Sequence, residues 1–273
     1  MEGEISAARA GTVRLGDREV HRVGLGTNRL TDTESGRAVL RRAIELGVDF
    51  IDTADIYQSN ASETTIGNTL GGRVGDVVVA TKGGMVRTPG GMGSDGHPDY
   101  LRRAVEGSLR RLQVDHIELY QLHRVDPTVP IETSVGALKE MQEEGKIRRI
   151  GLSNVTVEEI ERARRVAPIV SVQNQYNIVE RAQEPVLQFC EAHSIVFIPW
   201  TPLLRRDPAL VEAVSAMAGR YHVTPQQLAL RWLLRRSPVM LPIPGTLSLV
   251  HLAENLAAAE IPLSDGDFRQ LSA

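Results

Sequence analysis

The sequence predicts an α/β protein, a (β/α)8 TIM barrel entered through an N-terminal β-hairpin. Three observations predict it. Eight short apolar runs alternate with longer helical patterns. The runs are rich in Val and Ile, as parallel strands covered on both faces should be. No Pro- or Ser-rich linker breaks the alternation, so residues 1–273 read as one barrel domain. An open doubly wound sheet is the competing architecture. It should carry G-x-G-x-x-G after its first strand, and Gly24-Leu-Gly26-Thr-Asn-Arg29 does not complete that pattern.

The elements follow in order. Thr12–Leu15 and Arg18–His21 alternate in polarity around Gly16-Asp17, which predicts a hairpin. The eight barrel runs are Val23–Gly26, Asp49–Asp52, Val77–Thr81, Ile117–Leu122, Arg149–Leu152, Ile169–Gln173, Ile195–Pro199 and Met240–Ile243. Helix starts lie between them. Thr31-x-x-Glu34 and Thr156-x-x-Glu159 match the capping box, in which a hydroxyl and an acid satisfy two orphan amides reciprocally. Thr224-Pro225-Gln-Gln227 adds a proline at the first helical position. Val39, Leu40, Ala43 and Ile44 share one helical face, and Leu46-Gly47 ends that helix. The longest loop, Gly83–Pro98, carries Gly-Gly-Met-Gly at Gly90–Gly93 and reads as a mobile lid.

Composition narrows the function. A net charge of −3 and a pI near 6.2 give no basic footprint for nucleic acid. One cysteine, Cys190, supports neither an internal disulfide nor a Cys-rich zinc site, and no metal is expected. No apolar run reaches the ~18 residues of a membrane span, and MEGEISAARAG lacks the pattern of a signal peptide. A cytoplasmic monomer is the expectation. The basic residues are 28 arginines and three lysines, Lys82, Lys139 and Lys146. Lysine has been displaced almost everywhere, yet Lys82 closes the third run.

Barrel active sites lie at the C-terminal ends of the strands. Those ends carry Gly26-Thr27-Asn28, then Asp52 followed by Tyr57, then Lys82, His123, Ser153-Asn154, Gln173-Asn174, Trp200 and Pro244-Gly245-Thr246. Any one of these has an ordinary structural explanation. Polar groups at successive ends of one barrel point to a site.

Several segments carry a resemblance to a known family. They are Phe50-Ile-Asp-Thr-Ala-Asp-Ile-Tyr57, Ala80-Thr-Lys-Gly-Gly84, Gln121-Leu-His123, Gly151-Leu-Ser-Asn154, Val172-Gln-Asn-Gln-Tyr176, and Ile243-Pro-Gly-Thr246 with Glu254-Asn255. Together they resemble the aldo-keto reductases, and more the bacterial members with short loops than the aldose reductase branch. The resemblance implies reduction of small aldehydes and ketones with a nicotinamide cofactor. It implies a catalytic tetrad of Asp52, Tyr57, Lys82 and His123. Tyr57 would be the proton donor, Asp52 would hold Lys82 charged, and His123 would orient the carbonyl. A nearby ammonium favours phenolate, so Lys82 is expected to lower the Tyr57 pKa.

The resemblance also implies cofactor residues. Ser153, Asn154 and Gln173 would grip the nicotinamide carboxamide, and Trp200 would stack on the ring. Gly26, Thr27 and Asn28, then Thr201, Pro202 and Leu203, would line the groove. Gly245, Thr246, Leu247 and Ser248 would bind the adenosine phosphate at a helix start, where free amides point outward. Glu254 and Asn255 complete the set. Relatives often carry Lys and Arg around the 2′-phosphate, where this chain has Gly245 and His251. Arg205 and Arg206 are expected to supply charge instead. NADPH is the expected cofactor, with NADH as the alternative. Short rims at Arg124–Pro130 and Thr201–Asp207 predict an open pocket, and Asn28 in place of an aromatic residue predicts a polar one. Two other functions compete. A Schiff-base aldolase would need Lys82 without a carboxylate partner, and a cofactor-binding regulatory subunit would bind without turnover.

Overall fold

The computed structural model describes residues 5–203 and 208–273. Strands β1 (Thr12–Leu15) and β2 (Arg18–His21) form the expected hairpin, with Leu15 opposite Arg18 and Gly16 at a positive φ in the turn. The chain then runs β3 (Leu25–Gly26), α1 (Glu34–Glu45), β4 (Phe50–Asp52), α2 (Ala61–Leu70), β5 (Val78–Gly83), β6 (Met85–Thr88), β7 (Gly91–Ser94) and α3 (Pro98–Leu112). It continues with β8 (Leu119–Leu122), α4 (Ile131–Glu143), β9 (Ile150–Ser153), α5 (Val157–Arg164), β10 (Ile169–Gln175), α6 (Glu184–Ala192) and β11 (Val196–Trp200). Helices α7 (Pro208–Arg220), α8 (Pro225–Arg236), α9 (Leu249–Ala257) and α10 (Asp265–Ser272) complete it.

Seven strands form one parallel sheet in the order β3-β4-β5-β8-β9-β10-β11. The run at Met240–Ile243 closes it into a barrel without becoming a regular strand. Phe197 N–H donates to Val239 O and Leu241 N–H to Phe197 O on one side. On the other, Gly24 N–H donates to Pro242 O and Gly26 N–H to Pro244 O. Pro242 and Pro244 have no N–H to return, so pairing with β3 is reduced to the isolated bridge Gly26↔Gly245.

Alternation sorts the side chains into two cores. Phe50, Val78, Ala80, Leu119, Val196, Ile198, Leu241 and Ile243 point into the barrel. Val13, Leu15 and Val20 of the hairpin join them and plug its N-terminal end. The alternate residues, among them Ile51, Val79, Tyr120, Leu152 and Phe197, face the helices. Two residues further along the inward row come Asp52, Lys82, Trp200 and Gly245. The same pleat that fills the barrel therefore delivers the Asp52, Lys82 and Trp200 side chains to its C-terminal mouth.

Local signals held with two exceptions. Thr156 and Thr224 form full capping boxes with Glu159 and Gln227. In α1 the cap is Thr33, whose hydroxyl accepts from Gly36 N–H, so the expected Thr31 box is displaced by two residues. The segment expected as one long loop contains a hairpin: β6 and β7 pair antiparallel from Met85↔Ser94 to Thr88↔Gly91. Pro89-Gly90 makes its turn. No helix among the described residues is long and apolar enough to cross a membrane.

Candidate active site

At the mouth of the barrel, Lys82 is fully buried and its three ammonium protons are spoken for. Nζ lies 2.8 Å from Asp52 Oδ2, 2.6 Å from Thr53 O and 3.4 Å from the Tyr57 hydroxyl. Gln173 Nε2 donates to the other Asp52 oxygen at 2.7 Å, so Asp52 is held on both sides. His123 stands edge-on to the Tyr57 ring at 5.8 Å between centroids. Asp52, Tyr57, Lys82 and His123 thus converge as the sequence implied. Lys82 cannot serve as a Schiff-base nucleophile here, because Asp52 keeps it charged behind Tyr57.

The electrostatics follow from burial and charge. Burial works against the Lys82 ammonium, but Asp52 and Tyr57 together outweigh it and hold its pKa above the ordinary value. Burial raises the Tyr57 hydroxyl, and Lys82 pulls it down without winning. This corrects the expectation of a lowered pKa: a phenol this buried loses more from desolvation than one neighbouring ammonium restores. Burial, then Lys82 and Arg124, hold His123 well below the usual imidazole range, so the ring is neutral at neutral pH. Its Nδ1 is buried and has no hydrogen-bond partner among the described residues.

Tyr57 reaches this position through an unusual turn. Gln58, Ser59 and Asn60 all take left-handed backbone angles, with φ of 48°, 54° and 75°. Each costs on the order of 1–3 kcal/mol for a residue that is not glycine. Two side-chain bonds fix the turn: Gln58 Nε2 donates to Asn28 O, and Asn60 Nδ2 donates to Asp55 O.

A groove runs outward from Tyr57. Its first part, a cavity of about 660 Å³, is lined by Gly26, Thr27, Asn28, Gln173, Trp200, Thr201, Pro202, Leu203 and Gly245. Its second part, about 640 Å³, is lined by Thr246, Leu247, Ser248, His251, Glu254 and Asn255. Ser153 and Asn154 open on a smaller cavity with Tyr57 and His123. Trp200 Nε1 donates to Asn154 Oδ1 at 3.1 Å, and Asn154 Nδ2 donates to His123 O, which locks amide and indole together. The Thr27 hydroxyl faces inward, donating to Asp52 O, so it braces the strand ends. Ser248 caps α9 by accepting from His251 N–H. Arg205 and Arg206 lie outside the described residues.

Arg29 and Gln226, which sequence reasoning passed over, line both parts of the groove. Arg29 donates to Gly245 O at 3.3 Å and places a cation midway. Gly26 and Gly245 approach so closely that a Cβ on Gly245 would meet Gly26 O at 2.9 Å, so glycine keeps the groove floor open. An aromatic and amide-rich end, a central cation and a helix N-terminus suit a long, anion-bearing dinucleotide.

The family model for the aldo/keto reductase family matches residues 22–273. The chain belongs to the aldo/keto reductase family. An uncharacterized oxidoreductase of Schizosaccharomyces pombe is 45% identical, over 98% of this chain and 90% of that protein. Pyridoxine 4-dehydrogenase of Escherichia coli is 37% identical, over 93% of this chain and 94% of that enzyme. An aldo/keto reductase of Klebsiella pneumoniae, solved in complex with NADP and acetate, superposes with a TM-score of 0.84 at 32% identity, covering 95% of this chain and 93% of that one. Fungal and bacterial aldo/keto reductases both match, so the likeness does not single out a bacterial branch.

Proposed function

We propose that this chain is an NADPH-dependent reductase of small aldehydes and ketones, with Tyr57 as proton donor. The observation that carries the reading is the chain from buried Asp52 and Lys82 to half-buried Tyr57, beside a neutral His123, at the head of a groove that suits a dinucleotide. Carbonyl reduction adds a hydride to carbon and a proton to oxygen. The cofactor, when bound, supplies the hydride. Ser153, Asn154 and Gln173 would hold its carboxamide, Trp200 its ring face, and Arg29, Gly245 and the start of α9 its phosphates.

This chain's own residues manage the charge. As the carbonyl oxygen becomes alkoxide, Tyr57 gives it the hydroxyl proton. Lys82 lies 3.4 Å from the phenolate this leaves and stabilises it at the moment it forms. The raised pKa keeps Tyr57 protonated through neutral pH, so the acid is loaded before each turnover. His123 has no acceptor at Nδ1, so the proton of the neutral ring belongs on Nε2, where it can donate to the carbonyl oxygen.

The reading extends to a cytoplasmic monomer formed from one domain, with the lone buried Cys190 fitting a reducing compartment. A regulatory subunit without turnover is not supported, because all four residues of the proton-transfer site are assembled. A fluorescence titration tests the groove. NADPH should quench tryptophan emission, more tightly than NADH, and Trp200→Leu should remove most of the quench because Trp232 is fully buried elsewhere. Equal quenching in the variant would overturn the stacking assignment.

A further inference from the structure

We infer that the substrate is a small carbonyl compound carrying an anionic group, and that Arg124 is the residue that selects it. The inference rests on the reductase reading of the site. The cavity of about 210 Å³ beside Tyr57 and His123 shares Ser153, Asn154, Gln173 and Trp200 with the nicotinamide end of the groove, and its remaining lining, Met85, His123 and Arg124, is the side left for substrate. Arg124 lines it. It follows His123 directly in the chain, and its charge is felt at that ring, where it helps hold the imidazole neutral.

Arg124 is also uncommitted. Many surface arginines of this chain hold carboxylates, as Arg102 holds Glu144, Arg149 holds Glu118 and Arg162 holds Glu132. Among the described residues Arg124 has neither a carboxylate within 4.0 Å nor a hydrogen-bond acceptor; it is an exposed residue, and it lines the cavity. Unpaired arginines occur elsewhere on the surface; this one lines the cavity shared by Tyr57 and His123. The remaining walls suit a polar guest. Asn28 also lines the cavity, and Met85, from the hairpin of β6 and β7, is its main apolar residue besides Trp200. A guanidinium fork binds a carboxylate or phosphate in bidentate fashion. A substrate anchored there by its anion would be held next to His123 by its carbonyl.

Two aldehydes of matched chain length separate the possibilities: butanal, which is neutral, and 4-oxobutanoate, which carries a carboxylate. The intact enzyme should favour 4-oxobutanoate in kcat/KM, and added salt should erode that preference. Arg124→Gln should lower the ratio of the two kcat/KM values by about 10- to 100-fold, mainly through KM for the anion. Arg124→Lys should recover part of it. A ratio unmoved by Arg124→Gln and by salt would overturn the inference while leaving the reductase reading intact. Absence of NADPH oxidation by wild-type protein with butanal, 4-oxobutanoate and other aldehydes would overturn the reductase reading, and this inference with it.

Discussion

At the scale of single residues, the site rests on charges that burial makes expensive to disturb. Asp52 and Lys82 are 2% and 0% exposed. Asp52→Asn would leave the ammonium without its counter-charge and should destabilise the fold by roughly 3–5 kcal/mol. A thermal unfolding midpoint within a degree of wild type would contradict this. Asp55 behaves differently. Burial, with Glu63 adding to it against Arg111 and Lys82, pushes its carboxyl up to about 7. The folded pKa lies above the unfolded one, so the group's contribution is fully present below about pH 4. It is lost as pH rises through about 7. Between about pH 5 and 8, urea unfolding of wild type should show a loss on the order of 3 kcal/mol that Asp55→Asn does not share. Identical pH dependence in the two proteins would contradict the placement. The four residues of the proposed proton-transfer site were legible because each ends or follows a predicted strand. Arg29 and Arg124 were not, because among 28 arginines nothing in the sequence marks these two.

At the scale of elements, alternation explains both what was readable and what was not. A period-two pattern placed the hairpin residue for residue, and continuous apolar runs placed the seven sheet strands to within two residues at every end. The eighth run was found, but its prolines limit it to bridges. Met85–Thr88 escaped because four residues before a glycine-rich stretch resemble a loop until their pairing partner is known. The Thr31 box fitted its spacing rule, yet Thr33 was two residues away with the same hydroxyl. Three left-handed residues at Gln58–Asn60 carry no glycine and so no sequence signal. The seam between β3 and the eighth run is the most sensitive joint. A Cβ on Gly26 would lie 2.5 Å from Ile243 O, a backbone atom that cannot swing aside. Gly26→Ala should therefore cost about 1–3 kcal/mol and weaken NADPH binding. Calorimetry and the fluorescence titration check the two effects separately, and an unchanged protein by both would remove the seam from the account.

At the scale of the whole molecule, the barrel brings together groups from seven different strand ends, and the hairpin plug at the other end leaves one mouth for chemistry. The aldo/keto reductase family membership and the groove concern binding; the chain Asp52–Lys82–Tyr57 is the proposed seat of turnover. The lysine that composition failed to displace is the one held between Asp52 and Tyr57. An arginine at position 82 would have a longer, planar head and could not fit the same three partners. The most direct test separates binding from chemistry in one variant. Tyr57→Phe should bind NADPH as wild type does by fluorescence, yet oxidise it with 4-nitrobenzaldehyde at least ~100-fold more slowly. Retention of wild-type turnover by Tyr57→Phe would contradict the assignment of the proton donor.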